Sequence, residues 1–224
     1  MRLLSLAPVV LGLFLGTGLL AAGACQSPAS TQTRATAPPK PLTLVALDRS
    51  GSTEAFRGQQ RGFAMDSAMD ALDRGNEYAG WVVDRAANCV YDPQVPGSTK
   101  EFDDKFFAEF KTRRTKDASR TRPALLWEAL ADKYGGTSPV SGTQPVTVIY
   151  LTDGGNDWAG DEPRITQAVQ RLAQNTRVRV ALVGVNPELK SALEEQFAPL
   201  AGGLAVWGRS ATLEQVAKWR GEAQ

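Results

Sequence analysis

The chain has 224 residues, with 25 Lys and Arg against 24 Asp and Glu and no histidine. The near-neutral balance gives no basis for a nucleic-acid partner, and the lack of histidine excludes Ser-His-Asp and Cys-His catalysis, His-ligated zinc and imidazole general bases. Setting aside an export segment and a linker leaves about 180 residues, enough for one well-buried domain.

Residues 1–24 read as a signal peptide. Arg2 supplies a minimal positive start, residues 3–20 are apolar, and Ala21-Ala22-Gly23-Ala24 leads to Cys25. Small residues after an apolar stretch mark a secretory cleavage site. A Cys directly after them resembles a bacterial lipobox, with Ala22 where that pattern usually has Leu. Lipidation at Cys25 is the expectation; an ordinary signal peptide or an uncleaved anchor are the alternatives. Residues 26–41, QSPASTQTRATAPPKP, hold no large apolar side chain. With Cys25 they read as a lipid-anchored tether to a domain spanning 42–221. The expected location is the bacterial cell envelope, on a membrane through the N-terminal lipid.

Strands and helices then alternate. Residues 42–47 (LTLVAL) form a first strand. Residues 53–74 form a helix, with Met65, Ala68, Met69 and Leu72 at helical spacing. YAGWVVDR (78–85) is a strand, and NCVYD (88–92) a short edge strand. Phe102, Phe106 and Phe110 lie four apart, as on an amphipathic helix. Pro123 opens the next helix, which stops at Gly135-Gly136. VTVIYLT (146–152) is an apolar run suited to a strand buried on both faces. A helix over 165–173, a buried strand over 178–185, a helix over 187–200, a short strand over 204–207 and a helix over 212–219 complete the chain. Such alternation predicts an α/β, Rossmann-like, doubly wound fold: a mainly parallel central sheet with helices on both faces. Cys89, among Val82, Val83 and Val90, reads as a small buried residue. Trp81, Trp127, Trp207 and Trp219 read as core.

Two strong strands end in acid-containing turns. Asp48-Arg49-Ser50-Gly51-Ser52 follows the first, and Asp153-Gly154 follows VTVIYLT. Asp48, Ser50 and Ser52 alternate, so their oxygens converge on one point if the segment is extended. Oxygen donors of this kind suit a hard divalent cation, Mg²⁺ or Mn²⁺. The Asp-x-Ser-x-Ser run taken alone also suits a helix N-cap turn. In parallel sheets, ligands bind where strands end and helices begin, so the carboxylates of Asp48 and Asp153 are expected to meet over one ion.

These residues resemble a von Willebrand factor A (vWA) domain with a metal-ion-dependent adhesion site (MIDAS). Asp48, Ser50 and Ser52 match its first loop and Asp153-Gly154 its third. Its second loop carries a Thr just before a helix. Thr121, before Arg122-Pro123, fits that place, with Thr112 and Thr115 as competitors; Arg120 stands where the family often has Gly. The resemblance implies that Ser50, Ser52 and Thr121 contact the metal through hydroxyls, that Asp48 and Asp153 bind directly or through water, and that a partner's Asp or Glu fills a vacant position. Arg49 and Trp158 are partner-contact candidates by their place near the loops, with a solvated Arg49 and a locally packed Trp158 as the plainer readings. Asp157, Asp161 and Glu162 read as a solvated loop and helix start.

The function expected is a non-enzymatic module that binds a protein partner through a divalent cation. One alternative is a metal-dependent phosphohydrolase with Asp48 as nucleophile. That chemistry needs a second carboxylate two residues on, where this chain has Ser50. Another alternative is a structural spacer without metal.

Overall fold

The computed structural model describes residues 38–111, 120–136, 143–200 and 202–221. The chain divides into two units, Met1–Ala37 and Pro38–Gln224, and the described fold belongs to the second. Cys25, Thr112 and Thr115 lie outside the described residues.

The elements in chain order are β1 (Leu42–Asp48), a 3-10 turn (Glu54–Phe56), α1 (Arg57–Arg74), β2 (Glu77–Val83), β3 (Ala87–Gln94), α2 (Thr99–Lys111), α3 (Pro123–Tyr134), β4 (Val146–Leu151), α4 (Glu162–Ala173), β5 (Val178–Val183), α5 (Pro187–Gln196), a 3-10 turn (Ala198–Leu200), β6 (Leu204–Trp207) and α6 (Leu213–Gly221). One six-stranded sheet has the order β3-β2-β1-β4-β5-β6. All neighbours are parallel except the edge pair β2–β3, which is antiparallel.

The strand order follows from hydrophobicity. β1, β4 and β5 are apolar on both faces, so they occupy the interior of the sheet. Alternate residues feed two cores. Leu44, Ala46, Val148 and Tyr150 pack with α3 and α4. Val45, Leu47, Ile149 and Leu151 pack with α1, α2 and α6. On the second face Phe102 meets Tyr78 and Tyr91 edge-on and packs against Phe106 and Phe107. Gly80 admits this cluster, because a Cβ there would lie 2.5 Å from the Phe106 ring. Each buried ring contributes about 1.5–3 kcal/mol.

Several expectations are corrected in detail. The buried face of α1 is Gln60, Phe63, Ala64, Ser67, Ala68 and Ala71, while Met69 is exposed. Small residues let α1 approach the sheet closely, so Met69 lies off that face while Met65 packs at its border. The helix expected over 187–200 is α5 followed by a separate 3-10 turn. Cys89 is exposed, because it sits on the edge strand β3, whose faces the helices cover only in part. Its sulfur still touches the Tyr91 carbonyl at 3.4 Å. Loss of solvent around that sulfur, then the Asp92 carboxylate, push the thiol up to about 11. Trp81 and Trp127 are core, whereas Trp207 and Trp219 are half-buried and pack edge-on against each other at 5.7 Å.

Candidate metal site

The strand order reverses between β1 and β4, so the loops after them flank a natural crevice at the carboxyl ends of the strands. Leu47 lies opposite Leu151 in the parallel register. The next residues, Asp48 and Thr152, are therefore level. Both side chains point toward the α3 face, in step with Ala46 and Tyr150.

Asp48 is fully buried. Its Oδ1 accepts hydrogen bonds from the Ser50 amide and the Thr121 hydroxyl, each at 2.7 Å. Its Oδ2 accepts one from the Thr152 hydroxyl at 2.8 Å. Its backbone carbonyl is held by the Thr53 hydroxyl at 2.9 Å and by Gln60 Nε2 at 3.2 Å. All three of these partners of the carboxylate are neutral. Burial raises the Asp48 carboxyl above its ordinary range, outweighing the hydrogen bonds from Thr121, Ser50 and Thr152, which pull it down.

Ser50 and Ser52 face each other, with their hydroxyl oxygens 3.0 Å apart. Adjacent ligands of an octahedron with bonds near 2.1 Å stand about 3.0 Å apart, so this spacing fits a small hard cation. Thr121 is buried at the entry to α3. Its amide donates to Asp157 Oδ2 at 2.7 Å, which fixes the residue between the second and third loops. Asp153 is buried next to Thr152 and accepts the Gly155 amide at 3.0 Å. Gly154, at φ 88°, turns the chain there. The Asp153 carbonyl accepts the Asn186 amide at 2.9 Å, tying the third loop to the start of α5.

The structure thus gathers Asp48, Ser50, Ser52 and Thr121 through hydrogen bonds, with Asp153 one residue beyond the Thr152–Asp48 bond. Among the described residues no group of three or more Asp, Glu, His or Cys residues forms a metal cluster. The donor set fits a small cation through two carboxylates and neutral hydroxyls.

The flanking residues are less open than their positions in the sequence suggest. Arg49 is half-buried and pairs with Asp84 at the end of β2. Trp158 is half-buried, with the Arg122 guanidinium 4.9 Å from its ring centroid. Asp161 is a correction to the solvated-loop reading. It is buried and accepts from Arg122 at 2.8 Å and Arg164 at 2.9 Å. Arg122 first, then Arg164, hold its carboxyl below the usual range. Asp157 is exposed as a residue, yet its carboxylate caps Thr121.

Sequence reasoning missed Thr152, Thr53 and Gln60. Thr152 was legible only as the polar end of an apolar strand, and its role depends on the β1–β4 register. Gln60 crosses from α1 to bond the carbonyls of Asp48 and Leu151, which no local pattern announces.

No protein-family model matches the chain, and no curated protein matches it in sequence. Solved structures do match its fold. Proximal thread matrix protein 1 from the mussel byssus, with a zinc-occupied MIDAS motif, aligns at a TM-score of 0.53 and 15% identity, over 83% of this chain and 45% of that one. A von Willebrand factor type A protein from Catenulispora acidiphila aligns at 0.51 and 16%, over 82% and 42%. BatB from Bacteroides thetaiotaomicron aligns at 0.55 and 16%, over 82% and 97%. The chain spans less than half the length of the first two. It has a vWA-like, Rossmann-type α/β fold.

Proposed function

We propose that this vWA-like domain is a non-enzymatic, envelope-tethered module that binds a protein partner through Mg²⁺ or Mn²⁺ at its β1–β4 switch point. The observation that carries the reading is the meeting of a fully buried Asp48, whose carboxylate partners are all neutral, with Thr121 and a Ser50–Ser52 pair at octahedral spacing. Ser50, Ser52 and Thr121 would hold the ion through hydroxyls, with Asp48 and Asp153 supplying the charge. A divalent ion held by two carboxylates and neutral oxygens remains Lewis-acidic toward one further carboxylate. The zinc-occupied MIDAS of the mussel protein supports a divalent ion in this fold.

Two further features support the reading. Ser50 stands where a phosphohydrolase using Asp48 would need its second carboxylate. The Ala21-Ala22-Gly23-Ala24-Cys25 run supports lipid anchoring.

The test is calorimetric titration of the chain with Mg²⁺, followed by pull-down from envelope extract in Mg²⁺ and in EDTA. One saturable site, and a partner released by EDTA and by Asp48→Ala, is the expected result. A partner retained equally in EDTA overturns the mechanism, and Mg²⁺-dependent release of phosphate from a monoester overturns the non-enzymatic reading. Cys25→Ser should move the protein from the detergent phase to the aqueous phase; unchanged partitioning overturns the lipid anchor.

A further inference from the structure

A groove of about 990 Å³ runs between α4 and α5 on the same sheet face as Asp48 and Thr121. Trp127, Tyr150 and Phe197 line its floor. Its upper end is made by Thr152, Gly154 and Gly155, the residues that flank Asp153. The groove and the metal site therefore share a wall.

The packing of α5 leaves the groove open: α5 has no buried residue, and its inward-facing Leu189 and Leu193 are only half-buried. Among the described residues Glu162 and Glu195 also line the groove, and no Lys or Arg does. The walls favour an apolar occupant with a positive charge at the rim. The volume is in the range of ligand sites rather than of one side chain.

We propose that the groove receives the part of the partner segment next to its metal-binding carboxylate: one or two large apolar side chains, then a Lys or Arg that meets Glu162 and Glu195. The inference rests on the metal-bridged reading above and adds the partner's chemistry: acidic, apolar, basic, in one short extended stretch. The shared Thr152–Gly155 wall is what places the apolar part beside the acid.

The test uses labelled synthetic peptides and the full chain in Mg²⁺. The probes contain Asp-Phe-Leu-Lys, Asp-Ser-Ser-Lys and Asn-Phe-Leu-Lys between glycines. The first should bind at least ten-fold tighter than either of the others. Ala192→Trp, at an exposed position on α5 that lines the groove, should remove the preference for Phe-Leu and leave the Mg²⁺ titration and thermal unfolding unchanged. Equal binding of the two Asp peptides, with Mg²⁺ bound normally, overturns the groove and spares the metal reading. No Mg²⁺ binding by the wild-type chain overturns both. A dimer abolished by Ala192→Trp would assign the groove to a second copy and overturn the proposal.

Discussion

Asp48 closes the first loop with its own side chain and carbonyl, whereas Asp153 opens a third loop that is held mainly from outside. The Asp48 carboxylate and carbonyl take bonds from Ser50, Thr53, Gln60, Thr121 and Thr152. Asp153 receives the Gly155 amide on its side chain and the Asn186 amide on its carbonyl. Beyond it, residues 154–160 run along the surface until Asp161 is clamped by Arg122 and Arg164. The first loop is pre-organised by the sheet and by α1. The third is tied to α5 through Asn186 and to the entry of α3 through the Asp157–Thr121 and Asp161–Arg122 bonds. On the metal-bridged reading proposed above, Asp48 is the fixed carboxylate and Asp153, on the loop that reaches the surface, the adjustable one.

The largest effect is expected from removing either acid. Asp48→Ala and Asp153→Ala should each abolish the Mg²⁺ heat in calorimetry, a loss of more than about 100-fold, because each removes half of the site's formal charge. Retained binding in both would show that the two loops do not share an ion.

Thr152→Val tests how far the fixed loop depends on β4. It removes the donor to Asp48 Oδ2 and the acceptor of the Gly154 amide while keeping the shape. A support residue of this kind is worth about ten- to 100-fold in metal affinity, and the orphaned groups cost about 1–3 kcal/mol of stability. Unchanged Mg²⁺ affinity would mean that Asp48 is held well enough by Ser50 and Thr121 alone.

Gly154→Ala probes the adjustable loop at its turn. The residue sits at φ 88°, and an added Cβ would lie 2.7 Å from Leu193 Cδ1. Left-handed backbone costs a non-glycine residue about 1–2 kcal/mol, and Leu193 must also shift. The denaturant midpoint should fall accordingly. A midpoint equal to wild type would show that the third loop adapts freely.

Asp161→Asn should have the smallest effect, and one that depends on pH. Arg122 and Arg164 lower the folded-state value of this carboxyl below its unfolded value of 3.8. Its contribution is therefore present above that unfolded value and is lost as pH falls through the lowered folded value. Variant and wild type should differ in Tm at pH 7, and the difference should begin to shrink below about pH 4 and vanish only once the pH has passed the lowered folded value. A difference that persists unchanged into acid would place the effect in packing rather than in the ion pairs.

Much of this was legible in the chain. LTLVAL, VTVIYLT and VRVALVGV announce buried parallel strands because both faces are apolar, and they are β1, β4 and β5. The edge strand β3 was harder to see. Register shifts between Tyr78, Gly80 and Trp81 disturb its pairing, and the helices cover its faces only in part, which is why Cys89 is exposed. The inner face of α1 was misread because close packing selects small side chains, so Ala64, Ser67, Ala68 and Ala71 face the sheet and Met69 does not. Thr121 came from the family resemblance, which asks for a Thr just before a helix, and its place before Arg122-Pro123 set it apart from Thr112 and Thr115, which lie within or close to the preceding helix in the sequence reading.

The sequence by itself determined the chemistry on offer: no imidazole, two acids in glycine-containing turns, and serines spaced to converge. It also determined the alternation of elements, because hydrophobic periodicity is a local property. Only the tertiary structure decided which groups meet. Asp48 and Thr152 are 104 positions apart, and Asp48 and Thr121 are 73 apart. Their contact depends on β1 pairing with β4 in one register and on α3 starting over the same strand ends. The same packing left Leu189 and Leu193 of α5 half-buried beside the groove. Pairing register and helix placement arise from backbone hydrogen bonds and side-chain packing summed over the whole sheet, so no single stretch of the chain encodes them.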